Sequence, residues 1–319
     1  MKRLGLELAA VSEAAAIASA DWIGSGRKME ADGAATTAMR ERLNLIPMEG
    51  IVVIGEGELD EAPMLYIGEK LGAGNGPQVD IAVDPLEGTS LVADGLDNSL
   101  SVIALAPRGC LLHAPDTYME KLAVGPESAG KIDITAPISY NLKQVAKAIG
   151  KDIRELTVMI QNRPRHRTAI EEVRASGAKV ALFQEGDVSC SIATAMGASS
   201  IDMFYGIGGA PEGVVSAVAL HCLGGELQGR LLPENQEQTD RCLLMGVKPG
   251  LSLYMHDFIR SDDCLFAATG ITSSMLLDGI RRSGNGFLVH TMLCTGLDKQ
   301  VYFLRNQSVG SRAHLTVVS

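Results

Sequence analysis

The chain has 319 residues, 46% hydrophobic and 21% charged, enough for one large domain or two ordinary ones around a substantial core. Its net charge of −10 and its 4% of aromatic residues exclude a surface built to hold nucleic acid through phosphates and stacked bases. No apolar run approaches the roughly 20 residues that cross a bilayer, and Glu7, Glu13 and Asp21 interrupt the alanine-rich N-terminal stretch, so a cytoplasmic protein with no membrane partner is expected.

Leu, Ala, Val and Ile recur at helical spacing over residues 4–23, and Gly24-Ser25-Gly26 supplies a stop. Asp32-Gly33 opens a second predicted helix running to about Asn44, with Asp32 at the N-cap position. Ile51–Ile54 reads as a short buried strand leading into Gly55-Glu56-Gly57-Glu58, and Glu58, Asp60 and Glu61 read as a solvated acidic turn. A short helix and a glycine-rich loop over 72–77 precede a strand at 79–83. That strand is expected to stop at a proline, in Asp84-Pro85-Leu86-Glu87-Gly88-Thr89, and to deliver two carboxylates and a hydroxyl into a turn. Ser99 to Ala106 reads as another strand.

From about Pro137 helices and strands alternate: helix 141–149, strand 156–160, helix 168–175, strand 179–183, a helix after Asp187, strand 201–205 and a helix after Pro211. The rhythm predicts βαβ units and a mostly parallel layer. The expected fold class is α/β (α+β), with an N-terminal α+β subdomain over 1–138 and a C-terminal α/β subdomain over 139–319. After about Gly286 the chain reads as β-rich, and nothing local assigns those strands to either part. The six cysteines lack CxxC or zinc-finger spacing and read as buried free thiols.

Acidic residues recur just beyond predicted strands: Glu56, the pair Asp84 and Glu87, Asp187, and Glu212. Ligands of open α/β sheets bind outside the carboxyl ends of strands, and grouped oxygen donors suit hard cations such as Mg²⁺ or Mn²⁺. Taken singly, Asp32 reads first as an N-cap and Glu212 first as a first-turn acid, each ahead of a functional role. Gly206–Gly213 lacks dinucleotide spacing and no P-loop occurs, but its glycines and Pro211 would let phosphate oxygens approach a helix start. Arg163-Pro164-Arg165-His166 offers arginine forks for a phosphate, or simply a basic turn ahead of a helix. Tyr118 reads by default as a core tyrosine, and alternatively as a ligand-contacting hydroxyl. The histidines show no metal-ligand spacing.

Together these segments resemble the class II fructose-1,6-bisphosphatases of the lithium-sensitive, metal-dependent sugar and inositol phosphatase superfamily. The superfamily element is Asp84–Thr89. The class II elements include Ala31-Asp32-Gly33, Val53–Glu58, Asp60–Glu69, Ala114-Pro115-Asp116, Arg163–His166, Gly186-Asp187-Val188, Tyr205–Ser216 and Phe266–Gly270. The resemblance implies a layered αβαβα fold, a homodimer or homotetramer, and gluconeogenic hydrolysis of fructose 1,6-bisphosphate to fructose 6-phosphate and phosphate. It places metal ligands, for Mn²⁺ or Mg²⁺, on Asp32, Glu56, Asp84, Glu87 and Glu212. Sugar-phosphate contacts fall on Glu87, Gly88, Thr89, Tyr118, Arg163, Pro164, Arg165, Glu185, Gly186, Asp187 and Gly209, with Thr89 and Glu87 catalytic. Glu185 and Ser90 stand where other members commonly carry different residues. Two alternatives stay open: a sedoheptulose bisphosphatase or other sugar phosphatase, and a non-catalytic metabolite-binding protein, which the intact carboxylate set opposes.

Overall fold

The computed structural model describes residues 1–57, 63–197, 199–309 and 312–314, so Glu58, Asp60 and Glu61 lie outside the described residues. The chain forms two compact units, Met1–Leu111 with Ser261–Ser319, and Leu112–Arg260.

The first unit begins with α1 (Gly5–Ser19) and α2 (Lys28–Leu43), followed by β1 (Glu49–Ile54), β2 (Lys70–Leu71), β3 (Gln78–Glu87), α3 (Thr89–Asp94) and β4 (Leu100–Pro107). Leu8, Val11 and Ala15 of α1 and Ala31, Ala35 and Met39 of α2 share one core with Val52, Ile81 and Ile103 of the strands. Asp32 is not the N-cap: α2 starts at Lys28, and the Ala31 amide already donates to the Arg27 carbonyl at 3.2 Å. Lys28, Met29, Glu30 and Ala31 are all good helix formers, and they carry the helix upstream of Gly33. The expected short helix before Gly72 is absent among the described residues, where bends lead into β2.

β3 does not stop at its proline. It pairs with β4 from Val79↔Pro107 to Glu87↔Leu100, with a register shift between Asp84 and Glu87 that accommodates Pro85. The turn comes at Gly88, whose φ of +81° is open to glycine without strain and caps α3.

The second unit contains β5 (Tyr118–Val124), α4 (Ile138–Ile149), β6 (Thr157–Gln161), α5 (Arg167–Ala175), β7 (Lys179–Phe183), α6 (Asp187–Ile192), β8 (Met203–Gly209), α7 (Ala210–Leu223), β9 (Glu226–Leu232), α8 (Gln236–Leu244), β10 (Ser252–Leu253) and α9 (Met255–Phe258). Its sheet order is β10-β9-β5-β8-β6-β7. The alternating segment supplies the parallel neighbours β7, β6 and β8. The layer is less parallel than expected, because β5 and β9 add antiparallel pairings on the other side of β8.

The chain then returns to the first unit as β11 (Leu265–Gly270), β12 (Arg281–Ser283), β13 (Gly286–Thr295), β14 (Gln300–Val309) and β15 (Arg312–His314). They extend its sheet to β15-β14-β13-β11-β4-β3-β1-β2, with β12 on β13, and β1–β3 is its parallel pair. α1, apolar around most of its circumference, is covered by α2 on one side and by β4, β11 and β13 on the other. These units differ from a division at residue 138: β5 pairs with β8 and β9 instead of the strands before it, and the C-terminal strands join the N-terminal sheet.

With two sheets and nine α-helices among the described residues, the fold is mixed α/β of the α+β kind. Among the described residues no helix is long and apolar enough to cross a membrane. All six cysteines are free, five of them buried and Cys110 partly so.

Candidate active site

In the first unit the parallel pairing of β1 and β3 aligns Ile54 with Ala82. Glu56 and Asp84 each follow that pair by two residues, so Glu56 leaves the end of β1 level with Asp84, which is still within β3. Asp84 Oδ1 accepts from the Leu86 amide at 3.2 Å, bridging the proline that cannot donate. Ser99 Oγ donates to the Glu87 carbonyl at 2.6 Å and pins the backbone at the irregularity, where the Glu87 side chain is buried. Thr89 Oγ1 donates to the Leu86 carbonyl at 3.3 Å, which leaves its lone pairs free to accept. Asp32 lies on α2, which packs against β3 and α3, and burial pushes its carboxyl above the ordinary range. Near it on the helix, Lys28 Nζ donates to Ser90 Oγ at 2.7 Å.

The second unit gathers its candidates at the ends of β6, β7 and β8. His166 is buried with both ring nitrogens engaged: Nδ1 lies 2.9 Å from the Gln161 carbonyl, and Nε2 accepts from the Ile207 amide at 2.7 Å. Nδ1 therefore carries the proton and donates. Burial holds the imidazole below its ordinary value, and its two hydrogen bonds clip β6 to β8.

Arg165 is exposed beside it. Its Nε donates to the Ile207 carbonyl at 2.8 Å and its Nη2 to Gln161 Oε1 at 2.7 Å, while the guanidinium sits 5.1 Å from the Tyr118 ring centroid. Arg163 reaches Gln184 Oε1 at 3.4 Å and stands 3.6 Å from Glu185 Oε1. A cavity of about 410 Å³ opens beside Arg165, with Tyr205, Glu120 and Arg230 in its wall.

At the start of α7, Glu212 Oε2 is buried and has no hydrogen-bond partner among the described residues. Burial pushes its carboxyl up, against the opposing charge of Lys121. Gly209 makes room for it: a Cβ there would stand 2.0 Å from Glu212 Oε2. Asp187, at the start of α6, accepts from Lys121 Nζ at 2.7 Å. Lys121 did not stand out in the sequence, although strand alternation sets it in register with Met119 and Ala123, both fully buried.

The structure thus sets Glu56, just beyond β1, level with Asp84 of β3, and ties Arg165 to Tyr118 and Asp187 to Gly209 through Lys121. Among the described residues it assembles no group of three Asp, Glu, His or Cys side chains that could hold a metal ion.

Hard carboxylates, a hydroxyl and arginine forks at strand ends are the groups of phosphoryl-transfer chemistry, where charge neutralisation and positioning matter most. Residues 2–308 match the family described as bacterial fructose-1,6-bisphosphatase, glpX-encoded. The chain is 48% identical over 313 residues to fructose-1,6-bisphosphatase 1 class 2 of Escherichia coli (strain K12), covering 94% of this chain and 93% of that one. It is 45% identical over 313 residues to the class 2 enzyme of Haemophilus influenzae, covering 94% of each. A second Escherichia coli protein, fructose-1,6-bisphosphatase 2 class 2, is 45% identical over 312 residues, or 94% of this chain and 97% of that one. The chain belongs to the bacterial fructose-1,6-bisphosphatase family, a family of phosphatases.

Proposed function

We propose that the protein hydrolyses the 1-phosphate of fructose 1,6-bisphosphate, releasing fructose 6-phosphate and inorganic phosphate. The observation that carries this reading is family membership over residues 2–308, with a carboxylate, hydroxyl or arginine at each position where that chemistry needs one. We infer that Asp32, Glu56, Asp84, Glu87 and Glu212 hold Mg²⁺ or Mn²⁺. The donor set fits, since every member offers oxygen, and the buried Oε2 of Glu212, which has no hydrogen-bond partner among the described residues, offers a lone pair that a cation can take up. When bound, the metal would supply charge neutralisation and an activated water.

The protein's own residues then divide the work. Thr89 orients the attacking water through the lone pairs that its bond to Leu86 leaves free, while Glu87 and the Gly88 turn set its position. Arg163 and Arg165, joined by the rigid Pro164, grip the distal phosphate beside Tyr118. Glu185, Gly186 and Asp187 contact the sugar, and Gly209 lets phosphate approach the start of α7. On this reading the 1–138 segment provides most metal ligands and the remainder most substrate contacts. A homodimer or homotetramer working in the cytoplasm, in gluconeogenesis, completes the proposal.

Phosphate release from a panel of fructose 1,6-bisphosphate, sedoheptulose 1,7-bisphosphate and sugar monophosphates, with and without Mn²⁺ or Mg²⁺, tests it. Fructose 1,6-bisphosphate should give the highest kcat/KM, with fructose 6-phosphate as product. A clear preference for another sugar phosphate overturns the substrate, and absence of any metal-dependent release overturns the activity.

A further inference from the structure

Lys121 is a lysine where a strand would ordinarily place an apolar residue. It is 1% exposed, one of the large fully buried side chains among the described residues. Its aliphatic stem passes Gly213 of α7, where an added Cβ would stand 3.3 Å from Lys121 Cδ. Its ammonium donates to Asp187 Oδ2 at 2.7 Å and to the Gly209 carbonyl at 3.0 Å. The space around these contacts is kept clear by glycine: a Cβ on Gly208 would fall 2.2 Å from Asp187 Oδ2 and 3.1 Å from Lys121 Nζ.

A buried ammonium costs the fold several kcal/mol of desolvation, which pairing returns only in part, and a well-packed apolar side chain in its place is often neutral or stabilising. Stability alone therefore gives no reason for a cation here. The geometry gives another. One ammonium joins the first residue of α6 to the residue that caps α7, and those two residues are assigned above to the sugar and the phosphate.

We propose that Lys121 is a positioning residue for substrate, a buried tether that fixes Asp187 and the Gly209 peptide relative to each other. It engages one oxygen of Asp187 and leaves Oδ1 for a sugar hydroxyl. By holding the Gly209 carbonyl it also sets the orientation of the peptide at which α7 begins. This inference rests on the sugar-phosphatase reading and adds to it a residue that need not touch substrate.

The test is calorimetric binding of fructose 6-phosphate to the full chain without metal, with thermal unfolding and steady-state kinetics alongside. Lys121→Met, nearly isosteric and uncharged, should weaken fructose 6-phosphate binding by about tenfold or more, the scale of one charge-assisted hydrogen bond. It should raise KM for fructose 1,6-bisphosphate by a similar factor, with a smaller change in kcat. Asp187→Asn added to Lys121→Met should recover melting temperature without recovering affinity, and the two binding losses should not add.

Gly208→Ala approaches the same contact from the opposite side and should reproduce the KM signature, which keeps the test open if Lys121→Met does not fold. Unchanged affinity in Lys121→Met overturns the tether, as does additivity with Asp187→Asn. Loss of the folded state in both Lys121→Met and Gly208→Ala makes Lys121 a scaffold residue and likewise overturns it. Failure of the unmodified protein to bind fructose 6-phosphate counts instead against the functional reading beneath it.

Discussion

Replacing Arg165 with alanine asks whether this arginine holds the phosphate that stays or the one that leaves. The side chain is exposed, and its two hydrogen bonds, to the Ile207 carbonyl and Gln161 Oε1, orient the guanidinium beside Tyr118. The turn around it does not depend on those bonds, because His166 clips Gln161 to Ile207 independently. Arg165→Ala should therefore cost about 1 kcal/mol of stability. A charge-assisted contact to a phosphate is worth about 1.5–3 kcal/mol, which at about 1.4 kcal/mol per tenfold becomes a rise in KM of about 10- to 150-fold. Because the distal phosphate is gripped equally in ground and transition states, kcat should fall far less. Steady-state phosphate release from fructose 1,6-bisphosphate and from fructose 1-phosphate measures both quantities. The monophosphate lacks the distal group and should be nearly indifferent to the substitution. Equal losses with both substrates, or a loss confined to kcat, would refute the assignment and move Arg165 to the reacting phosphate or the scaffold.

Thr89→Ala should lower kcat far more than it raises KM, and Thr89→Ser should retain part of the activity, since a hydroxyl that orients water acts mainly in the transition state; an effect on KM alone would make Thr89 a binding residue. Glu13 gives a prediction away from the site. It is buried in α1, its Oε1 accepts from Thr291 Oγ1 at 3.0 Å and Asn306 Nδ2 at 2.6 Å, and burial raises its pKa despite those bonds and the more distant Arg42. A raised folded-state value means that the native protein binds this proton more tightly than the unfolded chain. Its contribution to stability is thus fullest below about pH 4.3 and declines as pH rises through the folded value. Glu13→Gln should match the unmodified protein in acid and exceed it near pH 8 in urea unfolding; a variant that loses stability steadily above pH 5 contradicts this.

Elements dictated by local chemistry were legible in the sequence. The apolar runs at 51–54 and 79–83 became most of β1 and half of β3, and the alternation after Pro137 became α4 through α7 with their strands. Errors arose where a local signal met a stronger neighbour. Asp32-Gly33 looks like a helix start, but the helix formers from Lys28 onward override it. Pro85 looks like a strand end, but a register shift lets β3 continue to Glu87. Long-range pairing left no local trace: nothing in Tyr118–Val124 says that it lies between β8 and β9, and nothing after Gly286 names the sheet it joins. Lys121 carries no local signal for a related reason. A lysine reads as solvent-facing until the strand's alternation is aligned with α7, and its partners Asp187 and Gly209 lie 66 and 88 residues away.

The proposed function requires carboxylates that hold a divalent cation for hydrolysis of fructose 1,6-bisphosphate. Its most direct test is phosphate release from that substrate by the unmodified protein, Asp84→Asn and Glu87→Gln, each measured with Mn²⁺, with Mg²⁺ and with EDTA, and each checked for folding by circular dichroism. The unmodified protein should turn over only with a divalent cation. Both variants should fold normally and lose nearly all activity, because each removes an anionic ligand without changing side-chain shape. Substantial turnover by either variant, or release that persists in EDTA, would contradict the account.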